Sequence, residues 1–229
     1  MSIERIGFDD HVNSLQWHQG EHVFIAGPTG SGKSTLVRSI LDRRGHVLGF
    51  GTKVHDDTIR NEYKDYTFVE SMGDIAGYMN RVILWPRLKR KESGEAYQAR
   101  QGAVFRNAFD KIFAARGWCI YVDELNYMVK YFNLSRPIES LHFIGRSSGI
   151  SMVTLAQRPA YVPLAVVSNA SHAYIAQTKL GADAERLADL GNVDPKAITA
   201  TLASLDDRHD FLYTPTLGTG VPGIVNTRK

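Results

Sequence analysis

Gly27-Pro28-Thr29-Gly30-Ser31-Gly32-Lys33-Ser34-Thr35 is the stretch that decides how this chain folds. The nine residues satisfy G-x-x-x-x-G-K-[ST], and they lie between an apolar run at 22–26 (HVFIA) and a helical pattern at 34–44. That strand–loop–helix setting is the one the pattern requires. Three glycines let successive backbone N–H groups turn inward around phosphate oxygens, and the start of the following helix adds partial positive charge. In such a loop Lys33 reaches the β- and γ-phosphates of a nucleotide, and the Ser34 hydroxyl ligates Mg²⁺. The bland alternative is a glycine-rich turn that binds nothing, and it leaves the complete pattern and both flanks unexplained.

Outward from the loop, short apolar runs alternate with longer helical patterns. The runs cover 22–26, 46–50 (HVLGF), 82–85 (VILW), 118–122 (WCIYV), 150–156 (ISMVTLA) and 173–176 (AYIA). Each is continuous and unalternating, as strands are when helices cover both faces of a parallel sheet. The helical pattern at 34–44 ends in two arginines and Gly45. A second, at about 95–116, puts Phe105, Phe109, Ile112 and Phe113 on one face and stops at Gly117. A third runs over 137–148, opening on a proline suited to a first turn and ending at Gly149. Residues 168–191 give a strand and then a short helix, and 210–213 (DFLY) a late edge strand. The expectation is an α/β fold with a central, mostly parallel sheet and helices on both faces. One domain covers 1–229, with 1–20 leading into the core.

Composition agrees with this. Of 229 residues 43% are hydrophobic and 22% charged, which excludes a disordered or collagen-like chain. The formal net charge of +3 permits an anionic partner without demanding one, so any nucleic-acid contact must rest on local features. Cys119 is the only cysteine, so no internal disulfide forms, and a reducing compartment or a virion interior is the expected setting. The opening MSIERIGFDDH has no apolar signal core, and no run approaches the roughly 18 apolar residues of a membrane span.

A phosphate loop with Mg²⁺ needs an oxygen ligand at the end of a neighbouring strand, and Asp123-Glu124 follows the run 118–122. Asp123 is placed to hold Mg²⁺ and Glu124 to polarise an attacking water. An isolated acidic pair is usually a solvated loop; paired with the upstream loop it reads as a Walker B element. A GTPase switch would carry D-x-x-G here, and the transporter signature LSGGQ is absent. The run 150–156 ends in Gln157, and ligands sit beyond the carboxyl ends of strands in open α/β sheets. A polar side chain there touches the γ-phosphate or the nucleophilic water, though a strand-ending Gln can also serve only its own loop.

These pieces, with Arg146-Ser147-Ser148-Gly149-Ile150 leading to Gln157-Arg158-Pro159, resemble the FtsK/HerA superfamily of ring-forming, ATP-driven DNA translocases. R-x-x-G-I, a strand and then Q-R-P is the most discriminating match, and looser likeness continues through Ser168-Asn169-Ala170 and Phe211-Leu212-Tyr213. The resemblance implies a RecA-like P-loop domain of the class with an additional strand and a catalytic Glu. It also implies ATP and Mg²⁺ as cofactors, double-stranded DNA as partner, and a homo-oligomeric ring. Within the family the chain looks most like the genome-packaging ATPases of tailless, internal-membrane phages and viruses. That implies residence in the host-cell cytoplasm or a virion, and a capsid vertex or portal-like complex as a further partner. Arg146 is the best match to a finger reaching a neighbouring subunit's ATP, with Arg158 second, although a cation at a helix end also complements the helix dipole. Two other readings stand beside this one: a Zot-like or conjugation-type assembly or secretion ATPase, and a small-molecule kinase using the same phosphate loop.

Three weaker signals remain. His18-Gln19-Gly20-Glu21-His22 spells the H-x-x-E-H of some zinc peptidases, but Gly20 interrupts it and His22 opens a strand, so no metal beyond Mg²⁺ is expected. Arg87, Lys89, Arg90 and Lys91 form a basic run, either a solvated face or a DNA-contacting loop. Tyr127, Lys130, Tyr131 and Phe132 are a second candidate for DNA contact, although such aromatic spacing more often means packing.

Overall fold

The computed structural model describes residues 3–178, 181–188, 190, 194–216 and 221–228. Among them ten strands form one sheet: β1 (Arg5–Ile6), β2 (Val23–Ala26), β3 (Val47–Phe50), β4 (Thr67–Val69), β5 (Arg81–Leu84), β6 (Cys119–Val122), β7 (Ser151–Ala156), β8 (His172–Ala176), β9 (Asp210–Pro215) and β10 (Gly223–Asn226). Their order is β1-β10-β9-β8-β2-β7-β6-β3-β5-β4. From β8 through β4 every pairing is parallel, while β9 runs antiparallel to both β8 and β10. Strand β7 lies between the strand feeding the phosphate loop, β2, and the strand feeding Asp123, β6. This is the additional strand that the sequence led us to expect.

The helices are α1 (Phe8–Ser14), α2 (Lys33–Leu41), α3 (Asp57–Glu62), α4 (Gly94–Ala115), α5 (Leu125–Phe132), α6 (Ser135–Ile144), α7 (Leu164–Ser168), α8 (Gly181–Leu187) and α9 (Pro195–Ser204). Alternation along a strand sends successive side chains to opposite faces. In β2, Val23 and Ile25 enter a core with α1, α2 and α3, while Phe24 and Ala26 enter a second core with α4 to α9. Both faces of the central strands are therefore dry, which is why their sequences do not alternate. Helix α2 buries Leu36, Val37, Ile40 and Leu41, the i, i+1, i+4, i+5 stripe that holds the helix, and with it the phosphate loop, against the sheet. Truncating such a core leucine to alanine costs about 2–5 kcal/mol.

All six expected strands form within a residue or two of their predicted bounds. The long helix is capped by Ser93, whose Oγ accepts the Ala96 N–H, and ends at Arg116 (φ +59°) before Gly117. The third predicted helix starts earlier, at Ser135, and its last four residues wind into a 3₁₀ turn, Gly145–Ser148, closed by Gly149 at φ +64°. The strand and helix expected over 168–191 are β8 and α8, and Gly191 lies outside the described residues. Two expectations need correction. Strand β9 is not an edge, because β10 and then β1 pair beyond it; the Gly and Asn of β10 and the two residues of β1 are too weak a signal to read. Phe113 leaves the apolar face and is exposed, since one step beyond Ile112 turns a helical side chain about 100° away.

Candidate active site

The carboxyl ends of β2, β6 and β7 converge on a cavity of about 500 Å³ whose walls include Lys33, Ser34, Asp123, Glu124 and Gln157. Thr29, Gly30, Gly32 and Thr35 line it as well. Gly30 and Gly32 have φ of +79° and +91°, values an L side chain rarely adopts. A Cβ at Gly32 would fall 2.1 Å from Thr227 Oγ1, so the loop passes where only glycine fits. The buried hydroxyl of Ser31 has no protein partner among the described residues. An inward-turned loop with an orphaned buried hydroxyl, on a helix start, is the donor set that a phosphate group fits.

Lys33 closes the loop on itself, its Nζ donating to the carbonyls of Gly27 (2.7 Å) and Pro28 (2.8 Å). Burial draws the Lys33 ammonium below its usual pKa, against the opposing pull of Asp123 and Glu124. The Tyr121 hydroxyl donates to Asp123 Oδ1 at 2.8 Å. Complete burial raises that phenol's pKa well above its ordinary value, so it stays a donor and fixes the Asp123 rotamer. Gln157 Nε2 lies 3.4 Å from Glu124 Oε1, so the strand-end amide is aligned with the candidate base. The hydroxyl of Ser34 and the carboxylate of Asp123 are hard oxygen donors on one cavity and suit Mg²⁺, which when bound neutralises charge on the β- and γ-phosphates.

Several wall residues carry no motif. Lys53 pairs with Asp56 at 3.3 Å, and Glu62 has its carboxyl raised by burial and by the nearby Asp123 and Asp56. Arg208 and His209 reach the cavity from the turn before β9. Neither stretch, 53–62 or 208–209, has a spacing tied to the phosphate loop; only the fold brings them together.

The two candidate fingers lie at opposite ends of β7. Arg158 is beside the site but engaged within its own chain, 3.5 Å from Asp183, hydrogen-bonded to the Tyr161 hydroxyl at 3.0 Å and stacked over that ring. Arg146 sits in the 3₁₀ turn before β7, 59% exposed, with Glu21 3.8 Å away as its ion-pair partner. The fold does not bring Arg146 to the phosphate loop of its own chain.

Arg87, Lys89, Arg90 and Lys91 are all exposed in the loop after β5, at the same edge of the sheet as the phosphate loop. Arg87 is partly engaged by Glu70 at 3.7 Å. In α5, Phe132 is buried and Tyr127 packs on the core, as the packing reading expected, while Tyr131 is half exposed under Lys130. His22 is buried and its Nδ1 accepts the Met152 N–H at 3.1 Å, whereas His18 is exposed outside any helix. The two imidazoles share no helical face.

With the geometry in place, known proteins are informative. The ABC transporter family matches residues 11–114, which includes the phosphate loop and stops short of Asp123. YknY of Bacillus subtilis (strain 168), an uncharacterized ABC transporter ATP-binding protein, is 38% identical over 88 residues. The match spans 37% of this chain and about a third of that relative's length. Among solved structures, the genome packaging NTPase B204 from Sulfolobus turreted icosahedral virus 2, in complex with sulfate, superposes with a TM-score of 0.66 at 15% identity, over 92% of this chain and 98% of that one. The cytoplasmic domain of the type VII secretion ATPase EccC from Thermomonospora curvata gives 0.53 at 15% identity, over 95% of this chain and 26% of that one. At such identities the likeness establishes the fold. Fold and site together define a P-loop NTPase domain of RecA-like architecture, and the resemblance expected from the sequence is found in these neighbours. No helix among the described residues is long and apolar enough to cross a membrane.

Proposed function

We propose that the chain is a Mg²⁺-dependent ATPase that works as a ring of identical copies and moves double-stranded DNA, packaging a viral genome into a capsid. The observation that carries this reading is end-to-end likeness in fold to the genome packaging NTPase, over 92% of one chain and 98% of the other, with Glu124 and Gln157 aligned across the phosphate loop. Lys33 and the loop N–H groups hold the polyphosphate and offset its charge. Ser34 and Asp123 would hold Mg²⁺. Glu124 takes the proton of the attacking water, and Gln157 keeps the Glu124 carboxylate turned toward it. Arg146 serves the site of a neighbouring copy, where a cation stabilises charge on the transferring phosphoryl group.

Likeness in fold to the secretion ATPase favours one second reading, an assembly or secretion ATPase that holds no DNA. ATP turnover of the purified chain, with and without duplex DNA of arbitrary sequence, separates these. Stimulation by DNA is the expected result. Turnover indifferent to DNA favours the assembly factor, and phosphate transfer only to an added small-molecule acceptor would make the chain a kinase.

A further inference from the structure

Three cations, Lys33, Lys53 and Arg208, line the cavity. Lys33 is held by two loop carbonyls and Lys53 by Asp56. Arg208 makes one polar contact to protein among the described residues: its Nε donates to His209 Nε2 at 3.0 Å. Among the described residues neither terminal nitrogen of its guanidinium has a protein acceptor. Arg208 and Gln157 also border an adjoining cavity of about 380 Å³ on the other side of the phosphate loop, against Gly27 and Pro28. The side chain therefore stands across the mouth of the loop with its fork unspent.

The turn that carries it is rigid. Within residues 207–210, Asp210 N–H donates to the Asp207 carbonyl (2.9 Å), Asp207 N–H to Asp210 Oδ2 (3.3 Å), and His209 N–H to Asp207 Oδ1 (2.9 Å). Three residues from the two ends of the chain pin this turn. Arg228 reaches Asp207 at 3.2 Å, Arg5 reaches the fully buried Asp210 carboxylate at 2.9 Å, and Asn226 bonds the same carboxylate at 2.8 Å. Because His209 Nε2 accepts from Arg208, the ring carries its proton on Nδ1, and that edge lies 3.1 Å from where a Cβ on Gly32 would be. The imidazole thus wedges between the phosphate loop and the arginine.

We propose that Arg208 is a second in-chain ligand for the nucleotide's phosphates, and that His209 is the positioning residue that aims its fork. A planar guanidinium with two free N–H edges suits phosphate bidentately, where an ammonium acts only as a point charge. The inference rests on the nucleotide-binding reading of the cavity and goes beyond it by recruiting a segment far along the chain from the phosphate loop.

The test is equilibrium binding of ADP and of a non-hydrolysable ATP analogue, both with Mg²⁺, to the full chain. Arg208→Ala should weaken both by about tenfold, and Arg208→Lys should recover only part of the loss. The melting temperature without nucleotide should stay unchanged in both, since Arg208 is exposed. His209→Ala should weaken binding in the wild-type background and do nothing further in Arg208→Ala, whereas His209→Gln, which keeps an acceptor for Nε, should bind nearly normally. Wild-type binding with undiminished affinity in Arg208→Ala would overturn the proposal while leaving the nucleotide site intact. An equal loss from His209→Ala in both backgrounds would overturn the positioning role, because the histidine would then act through Gly32 alone. A wild-type chain that bound no nucleotide would sink the underlying reading as well.

Discussion

The two ends of β7 differ in chemistry although they belong to one strand. At the carboxyl end, Gln157 faces an open, charged cavity where the phosphate loop, Asp123 and Glu124 meet. At the amino end, the 3₁₀ turn with Arg146 lies over a closed arrangement: Gly20 N–H bonds Ser151 Oγ, Glu21 receives His172, and the rings of His22 and His142 touch at 4.6 Å. Parallel strands make this asymmetry unavoidable. Their carboxyl ends all feed loops and helix starts, rich in free N–H groups, while helices arrive at their amino ends carbonyl-first. Chemistry on anions belongs to the first edge, while at the second Arg146 is turned largely to solvent.

The largest effect should come from breaking the chemical edge. Lys33→Ala should abolish turnover, and Glu124→Gln should lower it by about 10²–10⁴-fold while nucleotide stays bound, if the two have the proposed roles of charge clamp and proton acceptor. Wild-type turnover in Glu124→Gln would remove the base assignment.

Next is the link between the edges. If Arg146 completes a neighbour's site, Arg146→Ala should cost about 10³-fold in turnover, and mixing it with Lys33→Ala subunits should restore a measurable fraction, because mixed interfaces pair an intact loop with an intact finger. Arg158→Ala should cost less, since Asp183 and Tyr161 already hold that side chain. Equal, undiminished activity in both variants ends the finger idea.

A smaller effect is expected from the basic loop at the chemical edge. Each backbone phosphate neutralised contributes about −0.9 to the slope of log affinity against log salt. Replacing Arg87, Lys89, Arg90 and Lys91 with Ser should flatten that slope by several units in a ring and leave ATP binding intact. Restoring Arg87 alone should recover little, because Glu70 already engages it. An unchanged slope returns the run to plain surface and shifts attention to Lys130 and Tyr131.

Much of the chemical edge was legible because its residues are constrained by a ligand. Gly27 through Thr35 must wrap phosphate, and Asp123, Glu124 and Gln157 each end an apolar run, so pattern and position coincide in the chain. Arg208 and His209 had no such signature: they reach the cavity through β9, which the sequence placed at an edge, and through a turn whose partners, Arg5 and Arg228, lie at opposite ends of the chain. Helix α3 was missed for a related reason. Its six residues bury one apolar side chain, Ile59, which is no periodicity at all, yet they bring Glu62 and Tyr63 to the site. Short elements held by tertiary contacts leave propensity and period silent.

The smallest predicted effect concerns stability at the closed edge. Burial lowers His22 to a pKa of about 4 and His142 well below its ordinary value; the Arg146 charge adds to the effect on His22 against the opposing pull of Glu21 and a hydrogen bond to the His142 backbone, and His22 adds to that on His142. Both rings are therefore neutral in the folded chain, whereas in the unfolded chain they take up protons near pH 6.5. Their contribution is complete above that value and is lost as pH falls below it, for His22 between about 6.5 and 4, at up to about 1.4 kcal/mol per pH unit for each ring. At pH 5 the His22 share alone is about 2 kcal/mol. His142→Phe is the informative variant, because neither ring nitrogen of His142 has a partner among the described residues, whereas His22 accepts the Met152 N–H and its loss would orphan that donor. Urea unfolding at pH 7.5, 6 and 5 should give a shallower decline for His142→Phe than for wild type, by about one proton's worth. Identical declines would mean that His142 takes up its proton as readily when folded as when unfolded, and the two touching rings of the closed edge would then not be the neutral pair that burial makes them.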